Sequence, residues 1–147
     1  MPERGEPLRK LGFLTIGRFD EADPGPGHQQ TLSMIERAEA LGFDSVWLRC
    51  RHLQPGISSP VAIMAAASQR TSRIDLGTAV IPLGLENPLR LAEDLATVDI
   101  LSGGRINPGV SVGTPTTRPI STRKPMSWRT FPRTGWCGCW SACAATR

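Results

Sequence analysis

At 147 residues, 39% of them hydrophobic, the chain has the length of one ordinary domain and enough apolar content for a core. Its formal charge of +4 and pI near 9.3 suggest a basic protein, but all thirteen acidic residues lie at or before Asp99. Residues 1–113 hold eleven basic residues and net −2, whereas residues 114–147 hold six and no acid, so the basicity belongs to the C-terminal stretch alone. No run approaches the ~18 to 20 apolar residues of a membrane-spanning helix, and the polar start, Met1 to Lys10, lacks the apolar core of a signal peptide. The expectation is a soluble, cytoplasmic protein with no membrane partner.

In chain order, Leu11 to Phe19 is apolar enough for a first strand. Asp23-Pro24-Gly25-Pro26-Gly27 has the chemistry of a loop. His28 to Leu41 is then amphipathic, with Met34, Ile35, Ala38 and Leu41 at helical spacing and Gly42 as a stop. Phe43 to Arg49 is a second strand, and Cys50 to Ser58 a loop turned by Pro55-Gly56. Ser59-Pro60 opens an alanine-rich helix, VAIMAAASQR, able to pack close to a sheet.

The stretch from Thr71 to Gly113 is the most structured piece of text. Ile74 to Leu83 is a continuous run of β-branched and apolar residues, as in a strand buried on both faces. Asn87-Pro88 is a helix start, with asparagine as N-cap and proline in the first turn. Leu91, Ala92, Leu95 and Val98 give one buried face, and Ser102-Gly103-Gly104 ends the helix. Ile106 to Val112 is a further strand. Strands thus begin near Leu11, Phe43, Ile74 and Arg105, about 31 residues apart, the length of one β-loop-α-loop unit. The class is α/β with a parallel sheet. A flavodoxin-like open sheet suits this length, while a closed (β/α)8 barrel needs about 250 residues.

The order Gly77-Thr78-Ala79-Val80, then Asn87-Pro88-Leu89-Arg90, then Ser102-Gly103-Gly104-Arg105 resembles the luciferase-like flavin-dependent monooxygenase family, and the resemblance covers roughly Leu11 to Gly113. It implies the N-terminal half of a (β/α)8 TIM barrel: four parallel strands and three helices over residues 1–113. It also implies an oxidoreductase in which reduced flavin (FMN, or a deazaflavin in some branches) and O₂ oxygenate a small organic substrate. A flavin reductase and a second copy of the chain are the implied protein partners, and neither nucleic acid nor membrane is one.

In such barrels ligands gather at the C-terminal ends of the strands. The resemblance places Thr78, Ala79 and Val80 beneath the flavin ring, often through a non-proline cis peptide, where small side chains let a flat ring approach the backbone. His52 follows the second strand, where many members carry paired histidines. Here the pair is Arg51-His52, which leaves His52 to hydrogen-bond a flavin carbonyl as the candidate catalytic residue. Arg90 and Arg105 are read as structural ion-pair partners, and Glu86 and Asn87 as loop and cap residues. No glycine-rich phosphate loop is present.

Residues 114–147 differ in kind. They contain no Leu, Val, Asp or Glu, but three of the four cysteines and three of the four tryptophans. That is the composition of GC-rich DNA read out of frame, and the expectation is a disordered, frameshifted basic tail. Cys137, Cys139 and Cys143 supply three irregularly spaced ligands where structural zinc wants four, so no metal is expected. As this chain, the enzyme is expected to be weakly active or inactive, with a non-catalytic half-barrel that folds only on pairing as the alternative.

Overall fold

The computed structural model describes residues 8–52 and 54–112. Four parallel strands form one sheet in the order β1 (Gly12–Thr15), β2 (Ser45–Leu48), β3 (Asp75–Thr78) and β5 (Ile106–Asn107). The crossovers are the helices α1 (Pro24–Ala40), α2 (Pro60–Ser68) and α3 (Pro88–Ser102). A second, two-stranded parallel sheet joins β4 (Ile81–Pro82) to β6 (Val110–Ser111), with Ile81 opposite Val110. This is the expected α/β run of four strands and three helices. The expectations for residues 114–147 lie outside the described residues.

The register explains which face is buried. Phe13, Val46, Leu76 and Ile106 lie opposite one another across the sheet and face the helices. Leu32, Ile35 and Ala38 of α1, Met64 and Ala67 of α2, and Val98 of α3 close over them, together with Leu48, Ile57 and Ile74. Full burial of a side chain such as Ile35 or Leu76 contributes about 1.5–3 kcal/mol. The other face carries Leu14, Trp47, Gly77 and Asn107 in register. Leu14 there is 53% exposed, and Trp47 lies so close over Gly77 that an added Cβ would meet its ring at 2.6 Å.

Local chemistry sets the helix ends. The Ser59 hydroxyl accepts from Ala62 N–H at 3.4 Å and the Asn87 side chain from Arg90 N–H at 3.1 Å, each N-cap preceding a proline. Gly103, at φ +72°, closes α3 in the left-handed conformation.

Three expectations need correction. Helix α1 begins at Pro24, not His28, because Pro24 and Pro26 fall in the first turn, where a missing N–H costs no hydrogen bond. Its buried face is Leu32, Ile35 and Ala38, while Met34 and Leu41 are exposed, Leu41 because it lies past the last turn. The apolar runs Ile74–Leu83 and Ile106–Val112 are each broken into two short strands. The first breaks after Thr78 and continues into a 3₁₀ turn at Leu83–Leu85; the second breaks at Pro108-Gly109.

Arg90 is an ion-pair partner, 2.9 Å from Asp94 and 3.6 Å from Glu93. Arg105 is structural by other means. Nε donates to Ser102 O, Nη1 to Thr71 Oγ1 and Ile74 O, and Nη2 to Ser68 O and Thr71 O, all within 3.0 Å. One guanidinium fork thereby ties the end of α2, the approach to β3 and the start of β5 together. Among the described residues no helix is long and apolar enough to cross a membrane.

Candidate functional site

The C-terminal ends of β1, β2 and β3 lie side by side, which brings the loops that follow them to one end of the sheet. Arg49 N–H donates to Thr15 O at 2.9 Å and Ala79 N–H to Leu48 O at 2.8 Å, so the chain leaves each strand bonded to its neighbour. The Ala79–Val80 peptide is cis. Immediately beyond it the chain turns to form β4, with Ile81 N–H on Gly109 O at 2.9 Å.

The three expected ring-facing residues are not equivalent. The Thr78 hydroxyl donates to Gly109 O at 2.8 Å and accepts from Gly109 N–H at 2.9 Å, and the residue is 1% exposed. Its side chain is committed to Gly109, so what Thr78 offers a ligand is backbone. Only glycine fits opposite, since a Cβ on Gly109 would run into the Thr78 carbonyl oxygen. Ala79 is half-buried and Val80 is 40% exposed, and these two present small apolar groups to the open end.

His52 lies beyond β2, half-buried, with Nε2 3.2 Å from the Cys50 thiol. The thiol also donates to Ser58 O at 3.4 Å. Burial pushes the Cys50 thiol up, and the Glu86 carboxylate raises it further, outweighing the Arg51 backbone N–H that would lower it. Cys50 is therefore a neutral thiol at physiological pH and a soft hydrogen-bonding partner for His52. Beside Glu86 a cavity of about 330 Å³ opens between Ser58, Ser59, Ile81, Asn87 and Arg90, where the starts of α2 and α3 converge. The sequence reading missed the Cys50–His52 contact and the proximity of Glu86 to the thiol. The spacing of two was the available signal, because residues two apart in extended chain point the same way.

Ala79 and Val80 thus stand at the end of β3, with one imidazole and one thiol on the loop that follows the neighbouring strand β2. The family description "Luciferase-like monooxygenase" matches residues 10–131. The chain belongs to the luciferase-like monooxygenase family. The match extends past Gly113, where the composition changes. Limonene 1,2-monooxygenase of Rhodococcus erythropolis is 38% identical over 104 residues, covering 69% of this chain and 27% of that protein. An F420-dependent glucose-6-phosphate dehydrogenase of Amycolatopsis mediterranei is 37% identical over 93 residues, covering 59% and 28%. The oxygenating constituent of 3,6-diketocamphane monooxygenase of Pseudomonas putida, solved with FMN, superposes with a TM-score of 0.65 at 19% identity, covering 71% and 30%, a likeness of fold. The chain thus spans less than a third of the length of these proteins.

Proposed function

We propose that the chain carries the first part of a luciferase-like oxidoreductase site, in which a reduced flavin such as FMN rests on Ala79 and Val80 with His52 at its edge. The observation that carries this reading is the end of β3, where Val80 is exposed and Ala79 half-buried, so that two small apolar residues stand at the end of the sheet. Such side chains suit a tricyclic ring. The bound cofactor would supply the redox chemistry with O₂ that oxygenates a small organic substrate. The residues of this chain orient the ring, exclude water from one side and offer the His52 imidazole as a hydrogen-bond donor or acceptor. A deazaflavin is the alternative occupant, supported by the F420-dependent relative.

A second reading is favoured by the edges of the sheet. Among the described residues β1 and β5 each pair on one side only, and the face bearing Leu14 and Trp47 has no helix over it. Open edges and an uncovered apolar face favour pairing, so this reading makes the chain a half-barrel that completes itself with a second copy. A flavin reductase would then serve the assembled enzyme.

The site reading is tested by flavin fluorescence with two variants. Val80→Asp places a charge where the ring would lie and should weaken FMN binding at least tenfold. Leu89→Asp, on an exposed position of α3, should leave it unchanged. Equal affinity for all three proteins would refute the placement.

A further inference from the structure

We propose that the groove between the end of β1 and the outer face of α1 binds an anionic group, a phosphate or carboxylate of a small molecule, through Arg18 and Arg37. None of the residues that line it is one of those assigned to the flavin, so the proposal does not depend on that reading.

The groove, about 590 Å³, is lined by Thr15, Ile16, Gly17 and Arg18 on one side and by Gln30, Ser33, Met34 and Arg37 of α1 on the other. Gln30, Ser33, Met34 and Arg37 recur at three- and four-residue steps, so they share one face of the helix. That volume lies within the range that holds a small organic ligand.

Its polarity is one-sided. Two guanidinium groups, an amide and three hydroxyls line it, and no carboxylate does. Among the described residues neither Arg18 nor Arg37 has an acid or carbonyl on its side chain. Other arginines of the same body are engaged: Arg70 with Glu36 and Gln29, Arg73 with Asp44 and two carbonyls, Arg90 with Glu93 and Asp94, and Arg105 with its carbonyl cage. The nearby acids look elsewhere. Glu36 turns toward α2 to meet Arg70, and Asp20 caps its own loop by accepting from Ala22 N–H. The groove therefore offers exposed cationic donors with no side-chain acid bound to them, so an anion can gain charge-assisted bonds without displacing a resident protein partner.

The floor is fixed in shape. Gly17 is buried with φ +52°, and a Cβ there would meet the Ile57 side chain at 2.5 Å. On the helix side Thr31 is buried, its hydroxyl donating within α1 to Gly27 O at 3.0 Å.

The test is titration of the full chain with inorganic phosphate, and separately with acetate, against sodium chloride at matched ionic strength, followed by ¹H–¹⁵N spectra or calorimetry. Saturable binding is expected, weakened at least fivefold by Arg18→Gln and by Arg37→Gln and restored largely by Arg37→Lys. Met34→Glu, which adds a carboxylate at a partly exposed position without touching either arginine, should abolish it. Preference for phosphate over acetate would identify the occupant as a phosphate ester, and the reverse as a carboxylic acid. Binding that survives all these variants would assign the anion to the basic residues 114–147 and overturn the proposal. So would the absence of saturable binding.

Discussion

The side-chain hydroxyl of Thr78 and the backbone of Gly109 bond to each other twice, the hydroxyl donating to the carbonyl at 2.8 Å and accepting from the N–H at 2.9 Å. This reciprocal pair joins the end of β3 to the turn between β5 and β6, and so holds the second, small sheet against the first. Thr78→Val keeps the shape but leaves a part-buried N–H without its partner, at a cost of about 1 kcal/mol. For a body of this size that lowers Tm by about 4–8 °C per kcal/mol. Thr78→Ser should recover most of the loss. A valine variant that melts with the wild type would show that the pair contributes nothing.

Arg105 should tolerate no conservative exchange. Its five donors meet five acceptors in a planar fork, and lysine offers three donors on a point charge. Arg105→Lys is expected to destabilise by at least ~2 kcal/mol in denaturant titration. A midpoint unchanged within error would contradict the cage.

Much of this frame is legible in the residues themselves. Ser59-Pro60, Asn87-Pro88 and Gly103-Gly104 announce helix ends because capping is local chemistry, and the structure has α2 and α3 where those signals stand. The start of α1 was hidden because Pro-Gly-Pro-Gly is loop-like in composition yet harmless in a first helical turn. The breaks after Thr78 and at Pro108-Gly109 were hidden because they are fixed by pairing between residues 31 apart, which a window of sequence does not contain. That Thr78, Ala79 and Val80 stand at the end of the third strand was legible as a position. That Thr78 spends its hydroxyl on Gly109 was not, since it depends on the same distant contact.

Acid should loosen the packing of α1 on the approach to β3. Burial alone would raise the Glu39 carboxyl, but N–H groups of Ile74, Arg73 and Ser72 donate to it and the Arg105 charge lies nearby, and together these hold it below its ordinary range. A carboxylate depressed in the folded state contributes stability above its unfolded pKa and loses it as pH falls through the folded one. Stability should therefore decline below about pH 4.5, and Glu39→Gln should flatten that decline while lowering stability at pH 7. An identical acid slope in the variant would exclude Glu39 as its source.

Cys50 should alkylate slowly. Its raised thiol leaves little thiolate at neutral pH, and Glu86 contributes to the rise. Peptide mapping after iodoacetamide should find Cys50 modified more slowly than a free thiol at pH 7.5, with Glu86→Gln accelerating it. Faster reaction in the wild type than in the variant would reverse the assigned sign.

The central claim is that residues of this chain can face a flavin ring without completing a site. Among the described residues no donor for a flavin phosphate is assigned beside Ala79 and Val80, and each charge-assisted contact that is lacking costs about 1.5–3 kcal/mol, where about 1.4 kcal/mol is tenfold in affinity. Two or three such losses take a micromolar site to millimolar. The most direct measurement is titration of FMN into the purified chain by fluorescence, with oxygen uptake recorded alongside. The account predicts binding no tighter than millimolar and no substrate-dependent oxygen consumption. Micromolar binding with turnover would contradict it and make this chain a competent enzyme.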